Sequence, residues 1–292
     1  MELRVLKYFL TVAREENITR AASLLHMTQP TLSRQLHQLE EELGIRLFTR
    51  LSHRIVLTED GLLLRTRAQA ILDLAEKTKR EFASDAESLA GDIVIGCGET
   101  HNMQPLAQWI KSFRRLHPLV TFQFQSAIAD VVQGQIENGL LDMGILMEPV
   151  DIARYEILRL PIQERWGVFV AEDSALAAKE TVEPEDLIGQ PIILPFRDSV
   201  QTALRSWLME VYDEMQVVAH YNLIYNAGFL AQQGVGAVFC YETIPYIPGI
   251  VFRPLKGMPP VGGVLVWKRQ QTFSKATRKF LAHCQKCSQM KS

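Results

Sequence analysis

The stretch ITRAASLLHMTQPTLSRQLHQLEEELGIRLFTRLSHRIVLTEDG, residues 18–61, decides the reading of the chain. Thr19 is placed to cap a helix, with Ile18 as an apolar staple before it. Ala21, Ala22, Leu24 and Leu25 supply its inward face, and the small alanines let a second helix come close. Met27 and Thr28 make a turn, and Thr28 caps a helix whose first turn tolerates Pro30. Leu32, Leu36, Leu39 and Leu43 step by four, three and four along one side of that helix, and Gly44 stops it. Upstream, Leu6, Phe9, Leu10 and Ala13 form the stripe of a further helix. Downstream, Leu47 and Phe48 face Val56 and Leu57 across a short hairpin tipped by Arg50, His53 and Arg54.

The side of the third helix opposite the leucines carries Pro30, Ser33, Arg34, His37 and Gln38. Two helices about a tight turn, then a hairpin with a basic tip, are the parts of a winged helix-turn-helix. Its second helix enters the DNA major groove by the N-terminal end. Arg34 suits bidentate bonding to guanine and Gln29 to adenine. Thr28, Thr31 and Ser33 suit bases or phosphates, and Pro30 suits a thymine methyl. Arg50, His53 and Arg54 suit phosphate or the minor groove. Glu40, Glu41 and Glu42 repel phosphate, so only the first two turns are expected on DNA. An ordinary helical core shares the leucine period. The ordered conjunction of cap, turn, polar face and basic tip separates the two readings.

The chain has 292 residues, enough for two or three domains with real cores, and its 47% hydrophobic content fits a globular protein. The net charge of −2 says little, because in the first sixty residues eight basic side chains balance eight acidic ones. Placement decides, and affinity is expected to rest on dimerisation. Glu2, Arg4 and Lys7 interrupt any secretory signal, no apolar run is long enough for a membrane span, and four cysteines suit a reducing cytoplasm. Thr58 caps a further helix with Glu59 and Asp60 in its first turn, expected to run to about Leu89. Leu64, Ala68, Ile71, Ala75, Thr78 and Phe82 make a heptad seam along it, which points to pairing between two chains and a roughly palindromic operator. Three segments follow: a winged helix-turn-helix at 1–58, a dimerising linker helix at 59–90 and a sensor at 91–292.

In the sensor, DIVIGC (92–97), VTFQFQ (120–125) and MGIL (143–146) read as strands. Helices lie between them, one with its stripe at Leu106, Trp109, Ile110 and Phe113. GVFVA (167–171), PIILP (191–195) and AVFC (237–240) read as a second set, with helices at about 200–210 and 222–234. GGVLVWK (262–268) and a helix at 274–287 return the chain to the first. The βαβ rhythm predicts parallel sheets in two α/β lobes, about 91–161 with 262–292 and about 162–261, with a ligand cleft between them. Residues just past the strand ends are the candidates: Glu99, Thr100, His101, Ser126 and Met147 on one lobe, Phe196, Arg197, Ser199 and Tyr225 on the other. Thr100 at a helix start, with free backbone N–H groups, suits a carboxylate, and Arg197 adds a charge-assisted bond. Glu99 argues the other way and is expected to pair with Arg197 or to receive an amine.

Other signals carry less. Cys284 and Cys287 form a CxxC without a second pair, so no metal is expected. Nothing in the sequence brings Cys97 and Cys240 together. Gly96-Cys97-Gly98 lacks the third glycine of a dinucleotide loop, and no nucleophile, base and orienter stand in order, so neither a cofactor nor catalysis is expected. A transport module fused to a DNA reader, or a constitutive DNA binder with a closed cleft, are the rival readings.

AASLLHMTQPTLSRQLHQLEEELGIRLFTR and VLTEDG closely resemble the reader of LysR-type transcriptional regulators, while GLLDMGIL and GVGAVF more weakly resemble landmarks of that family's sensor. The resemblance covers essentially the whole chain. It implies an α/β protein with an N-terminal all-α winged helix-turn-helix and a two-lobed, periplasmic-binding-protein-like effector domain. It places Gln29, Pro30, Ser33 and Arg34 on bases and Arg50 and Arg54 on the wing. It maps the effector cleft near Thr100, Ser126 and 196–199. It also implies a cytoplasmic homotetramer built as a dimer of dimers, bending double-stranded DNA in response to a small-molecule effector. Glu99 departs from the small polar residue expected nearby.

Overall fold

The computed structural model describes residues 1–50, 54–82, 89–242 and 247–289, in two compact units, Met1–Ala83 and Ser84–Ser292. In the first, α1 (Leu3–Glu15), α2 (Ile18–Leu24) and α3 (Gln29–Leu43) precede a hairpin of β1 (Phe48–Arg50) and β2 (Ile55–Leu57), and then α4 (Glu59–Phe82). Leu6, Phe9, Val12, Ala21, Ala22, Leu32, Leu36, Leu39 and Leu47 form its core. The cap of α2 is Asn17 rather than Thr19: its side chain accepts from Arg20 N at 3.0 Å. Leu24 is exposed, because at about 100° per residue it lies on the far side of the short helix from Ala22. Leu43 also reaches solvent, at the last turn before Gly44, whose φ of 70° closes the helix in the left-handed region. Thr28 is the N-cap of α3 by backbone, but its hydroxyl bonds the Thr31 hydroxyl at 2.8 Å, not a backbone amide.

Thr58 caps α4 as expected: its Oγ1 accepts from Gly61 N at 3.0 Å and donates to Arg46 O at 2.6 Å. A Cβ on Gly61 would stand 2.2 Å from the Leu47 carbonyl, so only glycine lets α4 start directly on the chain entering the hairpin. The heptad seam divides. Ala68 and Leu72 are buried in the core of their own unit and Leu64 packs on it, because α1 lies alongside α4. Leu62, Leu63, Ile71 and Leu74 remain exposed. The expected extension of α4 over 83–88 lies outside the described residues.

The second unit holds two five-stranded sheets. β3 (Gly91–Cys97), α5 (Met103–Leu116), β4 (Val120–Ser126), α6 (Ala129–Glu137), β5 (Met143–Met147) and β6 (Tyr155–Glu164) begin the first lobe. β7 (Trp166–Ala171), β8 (Pro191–Pro195), α7 (Asp198–Leu208), β9 (Gln216–Tyr221), α8 (Ile224–Gln232), β10 (Ala237–Tyr241) and β11 (Ile250–Pro254) make the second. β12 (Val261–Lys268) and α9 (Lys275–Gln289) return to the first. The strand orders are β4-β3-β5-β12-β6 and β11-β7-β10-β8-β9. The chain thus crosses between lobes twice, at Arg165 and between Pro254 and Val261.

The sheets are mixed rather than parallel. The returning β12 runs antiparallel to β5 and β6, and β7 runs antiparallel to β10 and β11. Periodicity does not anticipate β6, β9 and β11. Ile93, Ile95, Trp109, Phe113, Leu265 and Phe280 fill one core, and Val168, Val170, Ile192, Leu194, Leu204 and Phe239 fill another. A Cβ on Gly96 would meet Leu141 at 2.5 Å and Val132 at 2.8 Å, so this glycine serves the close packing of α6. Asp142, in the GLLDMGIL landmark, is buried and accepts from Val94 N at 2.8 Å, joining β5 to β3. Among the described residues no helix is long and apolar enough to cross a membrane.

Candidate functional site

The first site is built on α3. Its leucine face is buried, which turns the opposite face outward: Thr28, Gln29, Pro30, Thr31 and Arg34 are exposed and Ser33 is half-buried. Arg34 and Gln29 have no side-chain partner among the described residues. An open groove of about 1040 Å³ runs between α3 and the hairpin, lined in part by Gln29, Pro30, Ser33, Arg34, Arg46 and Thr49. Sequence reasoning misses Arg46 because it lies between Gly44 and the hairpin, outside the helical period. Arg50 ends β1, and His53 lies outside the described residues. Arg54 Nη1 lies 3.7 Å from Glu16 Oε2, an exposed pair of little energetic weight.

Glu40 corrects the view of the acidic helix end. Its Oε1 accepts from Leu47 N at 2.7 Å and Phe48 N at 3.3 Å. The carboxylate clamps the hairpin to the recognition helix and is only 14% exposed. A backbone amide seven residues away leaves no periodic signal.

The second site is a cavity of about 130 Å³ between the two lobes. It brings together Glu99, Thr100 and Met147 with Arg197. None of the other five candidates lines it. Ser126 is exposed at the end of an edge strand. Phe196 is exposed and stacks on His220 at 5.6 Å, while Tyr225 meets Phe229 edge-on at 5.2 Å on the outer side of α8. His101 is half-buried in the turn before α5. Ser199 is half-buried too, and its hydroxyl has no partner among the described residues. Lining residues that sequence reasoning misses include Ile128, Leu146, Tyr221, Ile224 and Tyr241.

Thr100, Glu99 and Arg197 are bonded to protein atoms, and this changes three expectations. Thr100 Oγ1 donates to Glu164 and accepts from Asn102 N at 3.0 Å, while Met103 N donates to Thr100 O at 3.2 Å. The start of α5 therefore does not offer these amides to a carboxylate. Glu99 Oε2 accepts from Ile224 N at 3.0 Å, so it caps α8 across the cleft instead of pairing with Arg197. Arg197 donates to the carbonyls of Met147 at 3.1 Å and Pro149 at 2.8 Å, also across the cleft. The lobes are latched in both directions.

The cysteines are free thiols, two of them near this site. Burial pushes the Cys97 thiol above its usual range and the Cys240 thiol well above it. Thiolate is the reactive form, so both are poor nucleophiles at neutral pH. Cys284, buried on α9, is raised in the same way. Among the described residues no cluster of His, Cys, Asp and Glu has the makings of a metal site.

Residues 86–288 match the family model of the LysR substrate binding domain, and residues 3–62 match that of the bacterial regulatory helix-turn-helix protein, lysR family. The chain belongs to the LysR family. This LysR-family protein is a DNA-binding transcriptional regulator with an effector-binding domain, and the family is one of regulators, not enzymes. The Hca operon transcriptional activator HcaR of Escherichia coli strain K12 is 28% identical over 298 residues, 97% of this chain and 96% of that one. The hydrogen peroxide-inducible genes activator of Pectobacterium carotovorum subsp. carotovorum is 29% identical over 195 residues, 66% of this chain and 64% of its own. The crystal structure of CbnR, a LysR family transcriptional regulator, superposes with a TM-score of 0.79 at 22% identity, covering 99% of each chain. Full-length CbnR complexed with its target DNA gives 0.77 at 22% identity over 98% of this chain and 100% of that one.

Proposed function

We propose that this regulator acts in the cytoplasm as a dimer, or a dimer of dimers, on a roughly palindromic operator. Gln29, Pro30, Ser33 and Arg34 read base edges. Thr28, Thr31, Arg46, Arg50, His53 and Arg54 hold phosphates or the minor groove. One observation carries this reading: Arg34 and Gln29 stand exposed, with no side-chain partner among the described residues, on a helix whose opposite face is locked into the core. Chain pairing uses the exposed Leu63, Ile71 and Leu74 of α4, which lie within one half of that helix. The interlobe cavity takes the effector through Glu99, Thr100, Met147 and Arg197, without His101, Ser126, Phe196, Ser199 or Tyr225. Binding shifts the population between two lobe arrangements by exchanging the cross-cleft bonds of Glu99 and Arg197 for bonds to the ligand. A preference of about 1–3 kcal/mol for one arrangement is sufficient. Footprinting of the full chain on genomic fragments tests it. Two protected half-sites about one helical turn apart, or a multiple of that, are expected; intact protein that protects no fragment overturns it.

A further inference from the structure

Behind Thr100, which lines the interlobe cavity, lies a buried polar cluster to which the proposed function gives no role. Glu164 ends β6 and is 2% exposed. Its Oε1 accepts from Thr100 Oγ1 and from Asn102 Nδ2 at 3.2 Å, while its Oε2 has no partner among the described residues. Asn102 is 0% exposed, and its Oδ1 also lacks a donor. Tyr241 lines the cavity with a buried hydroxyl that has no partner among the described residues, close enough to Glu164 and Arg197 for both charges to act on it. Buried acceptors left open in this way demand a donor.

The charge balance points the same way. Arg197 is the cation among the described lining residues, and both of its Nη groups already hold carbonyls. Its Nε, 3.8 Å from Asp130 Oδ1, has no hydrogen-bond partner among the described residues. The amides of Asn102, Met103 and Ile224, at the starts of α5 and α8, are occupied by Thr100 and Glu99. An anionic ligand meets Glu99 in the wall and Glu164 behind Thr100, with both Nη groups of the guanidinium engaged elsewhere and only its Nε open. An ammonium that displaces the Thr100 hydroxyl has acceptors to fill: Glu164 Oε1, Glu164 Oε2 and Asn102 Oδ1. Its three donors match that set.

With the interlobe cavity taken as the effector site, as proposed above, we infer that the effector carries a protonated primary amine, which docks on Glu164 and Asn102 beside Tyr241. The amine replaces the Thr100 hydroxyl as donor to the carboxylate, and a short apolar body lies against Ile128, Leu146 and Ile224. The cavity of about 130 Å³ has room for a body of only a few heavy atoms.

Ethylamine and butylamine, against acetate and butyrate, are the probes, titrated into the full chain with methyl-labelled methionine and read by NMR at Met147. Amines are expected to bind at least about tenfold more tightly than the matched carboxylates. Glu164→Gln, which keeps an acceptor for Thr100 and Asn102, is expected to erase that preference. Glu99→Gln reduces it and serves if the first variant fails to fold. Carboxylates that bind as well as amines, or a Glu164→Gln protein that keeps the preference, overturn the inference. Response to carboxylates alone removes the amine chemistry and leaves the cleft as the site. Silence of Met147 toward all four probes, up to the high millimolar range, removes both.

Discussion

The two sites of this regulator differ in the state of their polar groups. On α3, Gln29 and Arg34 face solvent with no side-chain partner among the described residues. In the cleft, Thr100, Glu99 and Arg197 are all bonded to protein atoms, and two of the three reach across to the opposite lobe. A surface of open donors binds its target without first breaking anything, so its affinity is set by charge and shape. A cavity whose Thr100, Glu99 and Arg197 already bond protein atoms engages a ligand through them only by exchanging bonds. That exchange ties occupancy to lobe position and makes the second site a sensor rather than a second grip.

The sharpest way to break this contrast is Arg34→Ala. The substitution is expected to reduce discrimination between operator and random DNA by about 1–3 kcal/mol while nonspecific binding persists in part. Competition band shifts at fixed salt measure it, and unchanged discrimination refutes the open-donor account. Glu40→Ala should follow closely, lowering the stability of the first unit by about 2 kcal/mol through two lost charge-assisted hydrogen bonds. A denaturant midpoint that does not move counts against the clamp.

Arg197→Ala and Thr100→Val sharpen the sensor side. Each should blunt the response to effector, by about tenfold in apparent Kd, with operator binding intact. Reporter titrations read this, and two variants that respond like the parent dismiss the latch assignment. A smaller effect concerns the thiols. Cys97 and Cys240 are expected to resist alkylation in the folded state at neutral pH, because burial disfavours their thiolates. Rapid labelling at either, read by mass spectrometry, contradicts it. The smallest is a pH effect at His283, whose imidazole burial holds below its ordinary range beside Ser112 and Phe113. As pH falls through about 6.5 the unfolded chain takes up the proton first. Its contribution is therefore whole above that pH and declines beneath it. His283→Gln should flatten that part of the stability curve.

The sequence is most legible where local chemistry sets the structure. Gly44 ends α3 and Thr58 starts α4 because a left-handed residue and a side-chain cap act within one turn. Legibility fails at the margins of the sheets. β6, β9 and β11, the three strands that periodicity misses, are all edge strands. None of them has a continuous buried run, and β6 contains Pro161, which central strands exclude. The fourth edge, β4, is readable because VTFQFQ alternates. In the cleft, strand ends locate the rim but not which side chain turns inward. Pro195 and Val200 face the cavity while Phe196 between them stacks on His220. Glu164 gives no signal at all, since a glutamate closing a strand looks like any solvated residue until a second lobe covers it.

The short first crossing between the lobes has a mechanical meaning. Only Arg165, ion-paired to Glu242 at 2.8 Å, separates the last residue of β6 from the first of β7. A joint of one residue, doubled by the second strap between Pro254 and Val261, confines the swing to a narrow set of torsions. Inducing and antagonising compounds should then differ in how far they drive a common trajectory, not in the direction of travel.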